Sequence, residues 1–188
     1  MKNSHIIIIC GTILGIFAIM AGCSVEVSKA GTISDYASIL TGRDIATFCV
    51  KMEDATGYTL QVSDSDGTWF EPNMYLSPGT CQALRRLDKH DFRGAYAEGH
   101  AVLTIMHEAT HITLNSSDEA IVECNAMLNI DKALKLFKLS PNRLKQLHNF
   151  AWEAHWSLPD EYLTDPVCRT HPLDVYYEIG PVKPIAKK

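Results

Sequence analysis

The chain has 188 residues, 46% of them apolar and 21% charged, with a formal net charge of -5. That size and balance fit one globular domain with a core of its own, and they exclude an intrinsically disordered chain. The negative balance and the lack of a long Lys/Arg run exclude nucleic acid as a partner, because phosphate binding needs a basic footprint.

At the start, Lys2 precedes Ile6-Ile7-Ile8-Ile9, an apolar stretch runs to Met20, and Ala21-Gly22-Cys23 follow. A basic start, an apolar stretch and small residues before a cut site read as an export signal covering residues 1–22. The small residues directly before Cys23 resemble the lipobox of bacterial lipoproteins, with Met20 where Leu is more usual. That resemblance implies that Cys23 carries a lipid holding the mature chain on a membrane, so that the protein is an exported cell-envelope lipoprotein. The other reading is an uncleaved anchor, marginal in length for a span. Both readings place the remainder outside the cytoplasm.

Residues 23–34 read as a tether and residues 35–188 as the domain. Ile33 to Val50 is expected to hold a first helix, with Tyr36, Ile39, Leu40 and Ile45 as its apolar positions. Tyr58 to Val62 alternates as a strand does, Ser63-Asp64-Ser65-Asp66-Gly67 is turn chemistry, and Thr68-Trp69-Phe70 resumes the strand. Asn73 to Leu76 reads as a further strand, and Ser77-Pro78 opens a helix carrying Cys81, Leu84 and Leu87. From Ala95 to Leu114 the apolar spacing is helical, with Asn115 as a left-handed stop. A further helix is expected from Ser117 to Lys138, and another from Ser140-Pro141 to Ser157. The tail from Leu158 is Pro-rich and irregular. The fold class is therefore α+β: mainly helical, with a small β-hairpin or sheet.

Cys49, Cys81, Cys124 and Cys168 remain once Cys10 and Cys23 are set aside. An even number in an exported chain points to two disulfides. Four cysteines allow three pairings. Cys49–Cys81 with Cys124–Cys168 is the one expected, a bridge on each side of the central helix. Free thiols or a thiolate metal site are the weaker alternative, since the chain has no Cys-x-x-Cys pair.

The chemistry concentrates in His107-Glu108-Ala109-Thr110-His111. One helical turn separates the two histidines, so both imidazoles leave the same face, roughly 6 Å apart along the axis. Both nitrogens can then reach one zinc at about 2.0–2.1 Å. Glu108 is rotated by about 100° and reaches a water at the metal rather than the metal itself. A metal that acidifies water, with a carboxylate to take the proton, is the machinery of a hydrolase. A third ligand must come from Asp118, Glu119 or Glu123 after a turn at Asn115-Ser116-Ser117. Glu119 is the expected ligand. Glu123, one turn later on the same face, is expected to accept from the far nitrogen of a ligand histidine. The competing reading of Glu119 is a capping box with Ser116, and that of Glu123 a solvated face. Two glutamates at this spacing repel on a bare helix, which a nearby dication would reverse.

This ordered set, His107-Glu108-x-x-His111 followed by Glu119-Ala120-Ile121-Val122-Glu123, resembles the gluzincin metallopeptidases, the thermolysin-like group. The resemblance implies a zincin-like core of active-site helix plus ligand helix and one Zn2+ held by His107, His111 and Glu119. It also implies Glu123 behind the metal, Glu108 as general base, and a peptide or protein substrate. The chain departs from that group in its short gap between His111 and Glu119 and in its small size. It is also similar to small exported bacterial proteins sharing Tyr75-Leu76-Ser77-Pro78 and Cys81 before the motif. The same proteins share Glu123-Cys124 after it, then Leu158-Pro159, Glu161-Tyr162, Cys168 and Pro172-Leu173-Asp174 near the end.

The candidates for an oxyanion donor are His148, His155, Tyr162 and His171, any one of which reads more readily as a surface or half-buried polar residue; Tyr162 is preferred from its loop position and the family pattern. Trp152 and Trp156 read as core residues rather than a substrate platform. The alternative from another class is a non-catalytic exported lipoprotein whose zinc site is structural or degenerate, acting as an adaptor or inhibitor. Such a site would have no use for Glu108.

Overall fold

The structure is a computed structural model that describes residues 28–29, 31–53, 55–164 and 168. The expected signal segment, Cys23 and His171 lie outside the described residues.

Strand β1 (Ser28–Lys29) leads into helix α1 (Gly31–Thr41), followed by β2 (Ala46–Cys49), β3 (Gly57–Asp64) and β4 (Gly67–Leu76). Helices α2 (Pro78–Asp88), α3 (Tyr96–Leu114), α4 (Glu119–Leu128), α5 (Ile130–Leu136) and α6 (Pro141–Trp156) follow, and Asp160–Leu163 form a 3-10 turn. The protein is thus α+β, as the patterning predicts. A four-stranded sheet of order β1-β2-β4-β3 packs on the helices, with β2 and β4 parallel and the other pairs antiparallel.

The expected hairpin forms at the expected turn, with Asp64 opposite Gly67. Asn73–Leu76 does not make a separate strand; it extends β4, because the chain runs straight on from Phe70 and pairs with β2. The first helix ends sooner than predicted. Thr41 closes it and Gly42 turns left-handed at φ 67, the usual glycine stop. Ile45 lies in the connection, and Thr47, Phe48 and Cys49 enter β2, where a β-branched and an aromatic residue suit the pleat. Ile39, expected in the core, is 64% exposed. At the other end the domain begins earlier than residue 35. Gly31–Ser34 form the first turn of α1, with Ile33 and Ser34 buried, so they are not tether.

Helix α3 is the centre of the molecule. It is covered by α1, α2, α4, α5, α6, β3 and β4, and residues around its whole circumference are buried. Its end is the expected one: Asn115 sits at φ 51, ψ 44 and its side chain donates to Thr68 O at 2.9 Å. The single helix predicted from Ser117 to Lys138 is two helices. Asn129 Nδ2 donates to Asn125 O at 2.9 Å, a side-chain competitor of the backbone ladder, and the chain breaks there. The break lets Ile130, Ala133 and Leu134 turn into the core. Two disulfides, Cys49–Cys81 and Cys124–Cys168, form in the expected pairing. Trp152 is buried, but Trp156 is 41% exposed and not a core residue, because α6 ends there.

Candidate metal centre

The histidines of α3 and the glutamates of α4 meet because the turn at Asn115–Asp118 is short. Asp118 caps α4, its Oδ1 accepting from Ile121 N at 3.1 Å. That fixes its carboxylate as a cap rather than a ligand and leaves Glu119 free on the first turn. Ser116 accepts at Oγ from Asp118 N, so the reciprocal Ser116–Glu119 box does not form. Ser116 O instead accepts from His111 Nδ1 at 2.7 Å.

Three donor atoms converge, from His107, His111 and Glu119, all within 4.8 Å of one another. His107 Nε2 lies 3.0 Å from His111 Nε2 and 3.0 Å from Glu119 Oε2, and His111 Nε2 lies 3.5 Å from that oxygen. Ligands about 2.0–2.1 Å from a tetrahedral metal stand about 3.3 Å apart, so the set fits one ion. Both Nδ1 atoms are engaged elsewhere, His111 on Ser116 O and His107 on Glu123 Oε2 at 2.7 Å. Each outer bond selects the tautomer that leaves Nε2 bare for a metal.

Glu123 is 1% exposed and its second oxygen accepts from His155 Nδ1 at 2.8 Å. It therefore stands behind His107, not in the ligand group. Hydrogen bonds from His107 and His155 outweigh its burial and hold its pKa below the ordinary carboxylate range. Burial alone would lower the pKa of His107, but hydrogen bonds to Glu119 and Glu123 push it up to about 10. Burial would raise Glu119, but its bonds to both histidines bring it down to about 2. In the metal-free protein at pH 7, His107 thus carries a proton that a metal must displace. Its folded pKa lies above the unfolded value of about 6.5. That contribution to stability is therefore complete below about pH 6.5 and lost as the pH rises through about 10. Zinc titration at pH 7 in buffers of different ionisation enthalpy should show about one proton released per ion, and no release once the pH exceeds about 10.

Glu108 leaves α3 on a different side, 5% exposed, and burial raises its pKa, with His107 and His111 pulling it back down. Its Oε2 and Thr59 Oγ1 are buried polar atoms with no hydrogen bond of ordinary geometry among the described residues, although Thr59 lies close enough to lower the Glu108 pKa. Orphaned groups of this kind are expensive and mark a place for a polar ligand or water. Gly57 on β3 permits the approach: a Cβ there would lie 2.7 Å from Thr104 Cγ2 and 3.1 Å from Glu108 Cγ. A register shift between Thr59 and Gln61 bends β3 at this point.

Two cavities of about 380 and 420 Å³ open on either side, and Gly57, His107, Glu108 and Tyr162 line both. The second runs along Gly57–Gln61 of β3, the sheet's edge strand. Tyr162 lines both cavities, its ring 6.1 Å from that of His107. Burial first, then Glu119, raises its pKa, so it stays a phenol and a donor. The other expected oxyanion donors in the described residues lie elsewhere. His148 Nε2 accepts from Trp152 Nε1, and His155 is committed to Glu123. Sequence reading missed His100, which lines the first cavity. It stands seven residues before His107, two helical turns along the same face, and that spacing was the available signal.

No family model matches this chain, no curated protein is similar to it, and no solved structure matches its fold. The reading of the site therefore rests on its geometry.

Proposed function

We propose that the protein is a zinc-dependent metallopeptidase that hydrolyses peptide bonds outside the cytoplasm. The observation that carries this is Glu108: a buried carboxylate, unpartnered at Oε2, lining both cavities beside a three-ligand group. Two imidazoles and one carboxylate form a donor set suited to zinc, and three protein ligands leave a fourth position open. His107, His111 and Glu119 would hold the ion, which when bound supplies Lewis-acid polarisation and lowers the pKa of water.

Glu108 takes the proton of the attacking water and returns it to the leaving amine. Its raised pKa suits that exchange, since a general base works best near the operating pH. Tyr162 donates to the oxygen on which charge develops. The edge position of β3 supports an extended substrate, because an edge strand offers unpaired backbone groups to which a peptide can add. Two cavities that share Glu108 as a lining residue favour cleavage within a chain over removal of a terminal residue.

Placement outside the cytoplasm agrees with two disulfides, which persist in oxidising compartments. No described helix is long and apolar enough to cross a membrane, so attachment rests on the proposed lipid at Cys23.

The test is a library of peptides blocked at both ends, incubated with zinc-loaded protein. Cleavage should occur, stop after chelation and return with zinc. A protein that holds zinc and cleaves nothing would favour the adaptor or inhibitor reading.

A further inference from the structure

The Glu123 carboxylate bridges two imidazoles, one from the metal group and one outside it. We infer that His155 is a positioning residue for the metal centre, holding the Glu123 carboxylate in the orientation in which it accepts from His107 and so orients that ring. This inference rests on the metal-binding part of the reading above and is independent of hydrolysis.

Glu123 Oε2 lies 2.7 Å from His107 Nδ1, and Oε1 lies 2.8 Å from His155 Nδ1. An ionised carboxylate only accepts, so both nitrogens carry the hydrogen. With its Nδ1–H held on Glu123, His107 presents Nε2 toward His111 and Glu119. Glu123 and His155 are each 1% exposed. Water cannot easily replace either partner at such a depth. Removing His155 would leave Oε1 buried without a donor, and the carboxylate would no longer be fixed from behind in the plane that meets His107 Nδ1.

A packing role alone does not account for this histidine. His155 Nε2 is buried and has no hydrogen-bond partner among the described residues. Its ring stands edge-on to Trp152 and Trp156, at 5.4 and 4.8 Å between centroids. An apolar ring would fill that space without an unpartnered nitrogen. The polar atom that is used, Nδ1, is used only on Glu123. The set therefore reads as one line across three helices: His155 on α6, Glu123 on α4, His107 on α3.

The experiment is zinc affinity by competition with a chromophoric chelator, on wild type, His155→Phe, His155→Asn, Glu123→Gln and the Glu123→Gln/His155→Phe pair. His155→Phe keeps the ring and loses the donor, and zinc should bind 10–100-fold more weakly, the usual range for an outer-shell loss. Asn places an amide N–H near the position of Nδ1, so His155→Asn should bind close to wild type. In the Glu123→Gln background, His155→Phe should cost little more, because its target is gone. Wild-type affinity in His155→Phe would overturn the inference. So would an equal loss in the Glu123→Gln background, which would signal packing. Should His155→Phe not fold, His155→Asn decides: near wild-type affinity supports the donor role, and a loss like that of Glu123→Gln contradicts it. A wild-type protein that binds zinc but cleaves no peptide would remove the peptidase reading and leave this result standing.

Discussion

Glu108→Gln should lower peptide hydrolysis by about 10²–10⁴-fold, the range for loss of a general base, while zinc binds as in wild type. Gln has the same shape and cannot take a proton. Glu108 is not in the ligand group, which His107, His111 and Glu119 complete, so the metal should be unaffected. Its surroundings also leave the fold little reason to need the charge: Oε2 has no hydrogen-bond partner among the described residues, and burial disfavours ionisation. A group retained in that position without benefit to stability is one whose use lies in chemistry. The measurement is kcat/KM on a cleaved peptide alongside metal content and a thermal melt. Hydrolysis near the wild-type rate would remove Glu108 as the base.

The second large effect concerns stability. Replacing Cys124 and Cys168 together by Ser should lower the unfolding free energy by about 4 kcal/mol, from the entropy that a bridge across this separation removes from the unfolded chain. The bridge spans 44 residues. It also ties two parts of the site together. Cys124 follows Glu123 on α4, and the bridge joins it to Cys168, beyond the Tyr162 turn in sequence. The double variant should therefore lose hydrolysis as well, since Cys124 adjoins Glu123, which holds His107. Urea unfolding of both proteins measures the first effect. A difference under about 1 kcal/mol would contradict it.

Much of the site was legible because it is local. His107, Glu108 and His111 lie within one helical turn, and Glu119 and Glu123 follow after one tight turn, so helix periodicity brings them together without knowledge of the tertiary fold. The hairpin at Asp64–Gly67 and the stop at Asn115 were legible for the same reason: turn chemistry is written in adjacent residues. What stayed hidden depends on distant packing. The capping role of Asp118 could not be told from a ligand role until the turn was placed. His155 reaches Glu123 across 32 residues, and nothing in its own neighbourhood on α6 indicates that partner. The close approach of β3 to Glu108 at Gly57 likewise depends on tertiary packing. The break at Asn129 depends on a side chain competing with its own helix, which apolar periodicity does not register.

The account turns on one metal held by His107, His111 and Glu119, and metal content tests it most directly. Protein purified without chelators should carry one zinc per chain by elemental analysis. The His107→Ala/His111→Ala variant, if folded by circular dichroism, should carry none. A wild-type protein that contains no zinc and takes none up, or a double variant that keeps its ion, would contradict the account.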